Sequence, residues 1–214
     1  MKLLILLVTG ILILQYTGCT QNSNAKNTSK GIGAGCEGCE VIWQSPVPFE
    51  KLGWTDTLPD YNEQGQKLII SGIVYKADGK TAAKDVIIYI YHTDQKGHYT
   101  NKYNEKGWAG RHGYIKGWVK TNEKGEYKFY TLKPAPYPAT DIPAHIHPII
   151  IEPGKNEYYI DEYRFEGDPF LTASERKRQE LRGGPGIISP EKKGDILYGK
   201  RNIILGLNIP GYPG

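Results

Sequence analysis

Cysteine is scarce in this chain, with three in 214 residues at positions 19, 36 and 39. There is no second C-x-x-C to complete a four-ligand zinc site, and Glu40 rather than His follows Cys39, which removes the usual c-type haem attachment. Runs rich in Ala, Leu, Glu and Lys, from which long helices are built, are few, and no internal repeat is present. Basic residues are dispersed: the net charge of +4 is not gathered into blocks, and no Lys/Arg stretch alternates with stacking aromatics. Nucleic acid is therefore excluded as a partner. At 39% hydrophobic composition the chain supports one substantial core but not comfortably two. What it does contain is 16 Tyr, 26 Gly and 14 Pro, a composition of strands joined by turns. The expected fold is mainly β, an antiparallel β-sandwich core with an irregular N-terminal arm and one short C-terminal helix.

The first residues read as an address. Met1-Lys2 supplies a positive start, residues 3–14 form an apolar run too short for a comfortable membrane span, and Thr17-Gly18-Cys19 ends a small-residue cleavage pattern. This resembles a bacterial lipoprotein signal, with Tyr16 where Leu is more usual. Residues 1–18 are thus expected to be a signal peptide and Cys19 the lipidated residue. The protein is then exported and lipid-anchored to the bacterial cell envelope, facing the periplasm or the cell surface. A cleaved secretory peptide without lipid and an uncleaved anchor are the alternatives, and both also export the chain. Residues 19–40 read as a flexible tether carrying the C-x-x-C, and 41–214 as the folded domain. In an oxidising compartment Cys36 and Cys39 are expected to form a local disulfide that matters little to activity.

Residues 43–60 carry Pro46, Pro48 and Pro59 between aromatics and read as an irregular arm. Strands are predicted over 67–75, 85–92, 114–121, 125–131, 144–151 and 157–163, with a closing strand over 201–208. Residues 77–80 and 122–125 carry turn chemistry, the latter as a hairpin signal. One helix is predicted over 173–182, where Thr172 as N-cap and Glu175 three positions on form a capping box and Gly183-Gly184-Pro185 ends it.

The chemistry concentrates at Pro143-Ala144-His145-Ile146-His147. On a strand, residues i and i+2 share a face, so both imidazoles are able to reach one point. Imidazole suits iron, copper, zinc and nickel. A phenol ligates only a strongly Lewis-acidic ion, so Tyr137 just upstream hints at ferric iron. An ordinary alternating strand with one imidazole in and one out produces the same isolated pattern.

Gly97-His98-Tyr99, Gly117-Trp118-Val119-Lys120-Thr121, Gly125-Glu126-Tyr127-Lys128-Phe129, Thr131-Leu132-Lys133-Pro134-Ala135-Pro136-Tyr137-Pro138, Pro143-Ala144-His145-Ile146-His147 and Phe165-Glu166-Gly167-Asp168-Pro169 resemble, in order and spacing, intradiol ring-cleavage dioxygenases of the protocatechuate 3,4-dioxygenase and catechol 1,2-dioxygenase type. The resemblance covers residues 67–169. It implies a non-haem Fe(3+) held by Tyr99, Tyr137, His145 and His147, with Tyr91 and Tyr103 competing for the place of Tyr99. It also implies a catechol-like substrate opened by O2 to a dicarboxylic acid, with Tyr99 accepting a substrate proton. Two positions depart from the family. Ile142 stands where Arg is frequent, and Glu162 where Gln is. A substitute cation is expected, with Arg111 the catalytic candidate and Lys116 its alternative. Two other classes stay open: a non-catalytic β-sandwich binding or cell-surface module, and a zinc hydrolase using His145, His147 and a carboxylate such as Asp141.

Overall fold

The structure, a computed structural model, describes residues 31–213, so the leader and Cys19 lie outside the described residues. In chain order the strands are β1 (Thr55–Thr57), β2 (Lys67–Tyr75), β3 (Ile87–His92), β4 (Lys116–Lys120), β5 (Glu126–Leu132) and β6 (His145–Ile151). They continue as β7 (Tyr158–Tyr159), β8 (Tyr163–Phe165), β9 (Ile187–Ile188), β10 (Glu191–Lys193), β11 (Ile196–Lys200) and β12 (Ile203–Ile204). Helices α1 (Gly107–Arg111) and α2 (Ala173–Lys177) are short, and the arm carries 3-10 turns at Cys39–Gln44 and Phe49–Lys51. Among the described residues no helix is long and apolar enough to cross a membrane.

Two sheets face each other. One runs β1-β5-β2-β11-β10 with β12 also on β2, and the other runs β4-β3-β6-β8-β9 with β7 on β6. The central pairs β2–β5, β3–β4 and β3–β6 are antiparallel. The edges add parallel pairs, β1–β5, β2–β11, β2–β12 and β8–β9, so the sandwich is mixed at its margins. Alternation along the strands sends Leu68, Ile70, Ile88, Ile90, Phe129 and Ile146 into the inter-sheet core, each burial stabilising by roughly 1.5–3 kcal/mol. Residues 87–90 of β3 and 148–151 of β6 are apolar on both faces, because the N-terminal arm covers the outside of their sheet. There Cys39, Val41 and Ile42 pack on Tyr89, Trp118 and Ile149.

Several sequence expectations are corrected. The tether does not extend to residue 40: Gly33 N donates to Pro210 O, Arg182 donates to Gly33 O, and Cys39 is fully buried. Its glycines let the backbone lie against the domain; a Cβ at Gly33 would stand 2.8 Å from that of Tyr158. The 122–125 turn joins no hairpin. It crosses between sheets, since β4 pairs with β3 while β5 pairs with β2. The helix begins as expected, with Thr172 Oγ1 accepting from Glu175 N at 3.2 Å, but ends at Lys177. Asp161 draws off the following backbone by accepting from Leu181 N and Arg182 N. The closing strand shrinks to Ile203–Ile204, ended by the left-handed Gly206, and the preceding β11 was not predicted.

Candidate functional site

Register builds the site. β3 lies antiparallel to β6 with Tyr91 opposite His147, and β8 places Arg164 opposite His145. Alternation puts His145 and His147 on one side of β6, their rings 4.6 Å apart and nearly perpendicular. Two loops bring phenols to them. Tyr99 comes from the segment between β3 and α1, and Tyr137 from the proline-rich run between β5 and β6. Tyr99 Oη lies 2.7 Å from Tyr137 Oη and 2.9 Å from His147 Nε2, and Tyr137 Oη lies 3.0 Å from His145 Nε2. Two phenol oxygens and two imidazole nitrogens thus meet around one point.

The tautomers are set from behind. His145 Nδ1 donates to Pro143 O at 2.7 Å, because a carbonyl only accepts, which leaves Nε2 with a free lone pair. Behind His147 the Glu162 carboxylate stands 3.2 Å from Nδ1 and favours the proton there. Glu162 is itself held by Arg164 at 3.1 Å, and Arg164 by Glu175 at 2.8 Å. Outer partners of this kind aim a metal-binding imidazole and raise its basicity. Burial and the neighbouring His145 hold His147 well below the usual imidazole range, so it is neutral. Burial pushes Tyr99 and Tyr137 up, so without a cation both phenols keep their protons. Four inward-aimed donors fit a bound cation, which would lower the phenol values in turn.

The other expected residues lie elsewhere. Tyr91 is stacked face to face between His112, at 3.7 Å, and His147, at 4.6 Å, and Tyr103 is exposed. Arg111 is exposed, its guanidinium 4.5 Å over the Trp108 ring, and it does not line the cavity beside His147. The helix α1 that carries it packs on the arm, which fixes that direction. Lys116 is tied to Glu105 at 2.6 Å. Asp141 and Ile142 stand exposed on the loop before His145. The carboxylate gathered with the two histidines is Glu162. Arg164, which with Arg178 lines the cavity of about 330 Å³ beside His147, has no counterpart among the sequence expectations, nor do His112 and the stacking role of Tyr91. Strand pairing brings Arg164 and Tyr91 to the site and packing of α1 brings His112, and no local motif encodes either.

Comparison with known proteins gives the family and the fold. A family model described as "Dioxygenase" matches residues 52–181. Catechol 1,2-dioxygenase 1 of Acinetobacter lwoffii is 30% identical over 164 residues, 67% of this chain and 49% of that protein. Catechol 1,2-dioxygenase 2 of the same organism is 26% identical over 130 residues, 53% of this chain and 45% of its own. The chain therefore spans about half the length of the curated relatives it matches. Among solved structures, 3-chlorocatechol 1,2-dioxygenase from Rhodococcus opacus 1CP superposes with a TM-score of 0.54 at 19% identity, covering 75% of this chain and 69% of that one. The dioxygenase domain of a carbohydrate-binding fusion protein from Streptomyces sp. SirexAA-E gives 0.53 at 20% identity, covering 76% and 95%. At such identities the likeness shows a shared fold.

Proposed function

This chain belongs to the intradiol dioxygenase family, and from that premise we propose that it is a non-haem iron enzyme that opens a catechol-type ring between its two hydroxylated carbons with O2. The observation that carries the proposal is the convergence of Tyr99 Oη, Tyr137 Oη, His145 Nε2 and His147 Nε2. These four would hold Fe(3+). Bound there, the ion supplies the Lewis acidity that deprotonates a chelating catechol and the electron-accepting centre that makes its ring reactive toward O2. Two phenolates favour the ferric state. The protein must also accept the substrate's protons. Tyr137 suits this better than Tyr99, the expected acceptor, because Tyr137 leads into the exposed residues 138–142, whereas the Tyr99 ring is packed between Tyr91 and Tyr137. Glu162 and Arg164 orient His147. Export and lipidation at Cys19 belong to the same proposal and rest on the leader sequence.

Purified protein is expected to hold one iron per chain, to absorb in the visible through tyrosinate-to-iron charge transfer, and to consume O2 with catechol, releasing a dicarboxylic acid. A colourless, zinc-only protein would end the proposal. The second reading, a non-catalytic binding or cell-surface module, draws on Ile142 and on Arg111 facing away. If neither position brings a guanidinium to the reacting ring, an electrostatic contact worth about 3 kcal/mol is not supplied from there. Bound iron with no turnover of any catechol would select that reading.

Glu162→Gln tests the support behind His147. The amide keeps the shape but loses the charge, so iron affinity is expected to fall about 10- to 100-fold. Chelator competition measures it, and wild-type affinity in the variant would show that Glu162 does not act through His147.

A further inference from the structure

The N-terminal arm closes against the back of this site through the Cys36–Cys39 pair. The two residues are joined as a disulfide, with Cα atoms 5.4 Å apart, and Cys39 is fully buried against the sheet that carries His147. Gly38, between them, has φ +79, and a Cβ there would stand 3.0 Å from His112 Nε2 and from two Trp108 carbons. The disulfide loop therefore presses directly on those rings. His112 is fixed from its other nitrogen, Nδ1 lying 2.9 Å from Tyr89 Oη. Its ring lies flat on Tyr91, 3.7 Å away and tilted by 3°, and Tyr91 lies on His147, 4.6 Å away and tilted by 16°. Cys36 and Glu37 also line the same cavity as Tyr91 and His147.

We propose that the Cys36–Cys39 disulfide, His112 and Tyr91 form a positioning unit for His147, so that the thiol–disulfide state of the arm sets how tightly the site holds iron. The proposal rests on the metal-site reading above. An imidazole ligates along the lone pair in its ring plane, so a ring free to tilt spends less time aimed at the shared point. Glu162 settles which nitrogen carries the proton, and the stack settles the tilt. The disulfide closes only a few residues, so opening it costs the whole fold little, but it releases the backbone that backs His112. The pair lies far in sequence from the ligands, but the fold brings it against the sheet that carries His147.

The test uses the intact protein and a phosphine reductant. The S–S bond breaks, two thiols form with protons from water, and the phosphine leaves as its oxide; it is removed before iron is added. Reduced protein is expected to keep its circular dichroism while iron affinity, by chelator competition, falls about tenfold or more, the range for loss of an outer partner. In metal-free protein the imidazole nitrogen resonances of His147 are expected to shift on reduction. With the disulfide intact, Tyr91→Phe keeps the stack and retains wild-type affinity, whereas Tyr91→Leu reproduces the loss. Affinity and resonances unchanged by reduction overturn the proposal, and so does wild-type affinity in Tyr91→Leu. Should reduction unfold the chain, the two Tyr91 variants decide. A protein that binds no iron in either state refutes the metal-site reading, and the His147 resonances then decide the positioning role alone.

Discussion

Replacing His147 by alanine is expected to abolish iron binding and ring cleavage while the sandwich stays folded. The imidazole sits at the meeting point of three supports. Tyr99 Oη lies 2.9 Å from its Nε2, Glu162 Oε1 lies 3.2 Å from its Nδ1, and Tyr91 covers its face. Removing it takes one of four donors and leaves the Glu162 carboxylate without its imidazole partner. The side chain is 23% exposed, toward the cavity and outside the inter-sheet core. The folding cost is therefore that of one lost polar contact set, about 1–3 kcal/mol. The functional cost is far larger, because three remaining donors no longer close the coordination and Glu162, still held by Arg164, has no imidazole left to orient. Metal analysis should find iron reduced at least a hundredfold against wild type in the same buffer, with the visible band gone. The far-ultraviolet spectrum should be unchanged. An alanine variant that keeps its iron and its colour would remove His147 from the site.

The two halves of that argument were unequally visible in the sequence. The sharing of one face by His145 and His147 follows from the two-residue period of a strand, and the apolar run 67–75 is read to its ends because β-branched residues crowd it. Tyr137 stands out by sitting in a proline-rich run eight residues before His145. Glu162, Arg164, Tyr91 and His112 are invisible in this sense. Each reaches the site through a pairing or packing choice, β6 with β8, β3 with β6, the arm with the outer face, that no residue within ten positions dictates. The same blindness produced the false hairpin. Asn122 and Gly125 specify a turn, as Gly125 N donating to Asn122 O at 2.8 Å confirms, but not which sheet the chain enters afterwards. Arg111 is expected as a loop cation in place of the family's Arg, with Lys116 its alternative, but it lies on a five-residue helix with its guanidinium over Trp108.

Gly97→Ala is expected to disable the site from outside the four convergent residues, because Gly97 is where the two tyrosine-bearing segments touch. Its φ is +80, and a Cβ would fall 2.1 Å from Pro136 O and 2.9 Å from Pro138 Cδ. The Tyr99 segment is tied down around it: Asp94 Oδ1 accepts from Lys96 N and His98 N, and Gly97 N donates to Asp94 O at 3.1 Å. The Tyr137 segment is fastened to the same turn, with Thr93 Oγ1 donating to Ala135 O at 2.7 Å. A methyl group meets no flexible side chain here, only the Pro136 backbone and the rigid Pro138 ring, so the two segments must part by about an ångström. A left-handed alanine costs roughly 1–2 kcal/mol by itself, and the displaced contacts add to it. In a domain of this size a loss of about 3 kcal/mol lowers the melting temperature by about 6–12 °C. Moving Tyr99 away from Tyr137 misplaces two of the four donors, and a displacement of about 1 Å is enough to cost about a hundredfold in turnover. Gly194→Ala supplies the control, since Gly194 has φ +59 with nothing within 4 Å of the added Cβ, so it carries the backbone strain without the clash. The visible band and turnover should survive in Gly194→Ala and fail in Gly97→Ala. If both variants melt together and keep the same colour, the contact between Gly97 and Pro136 does not hold the tyrosines in place.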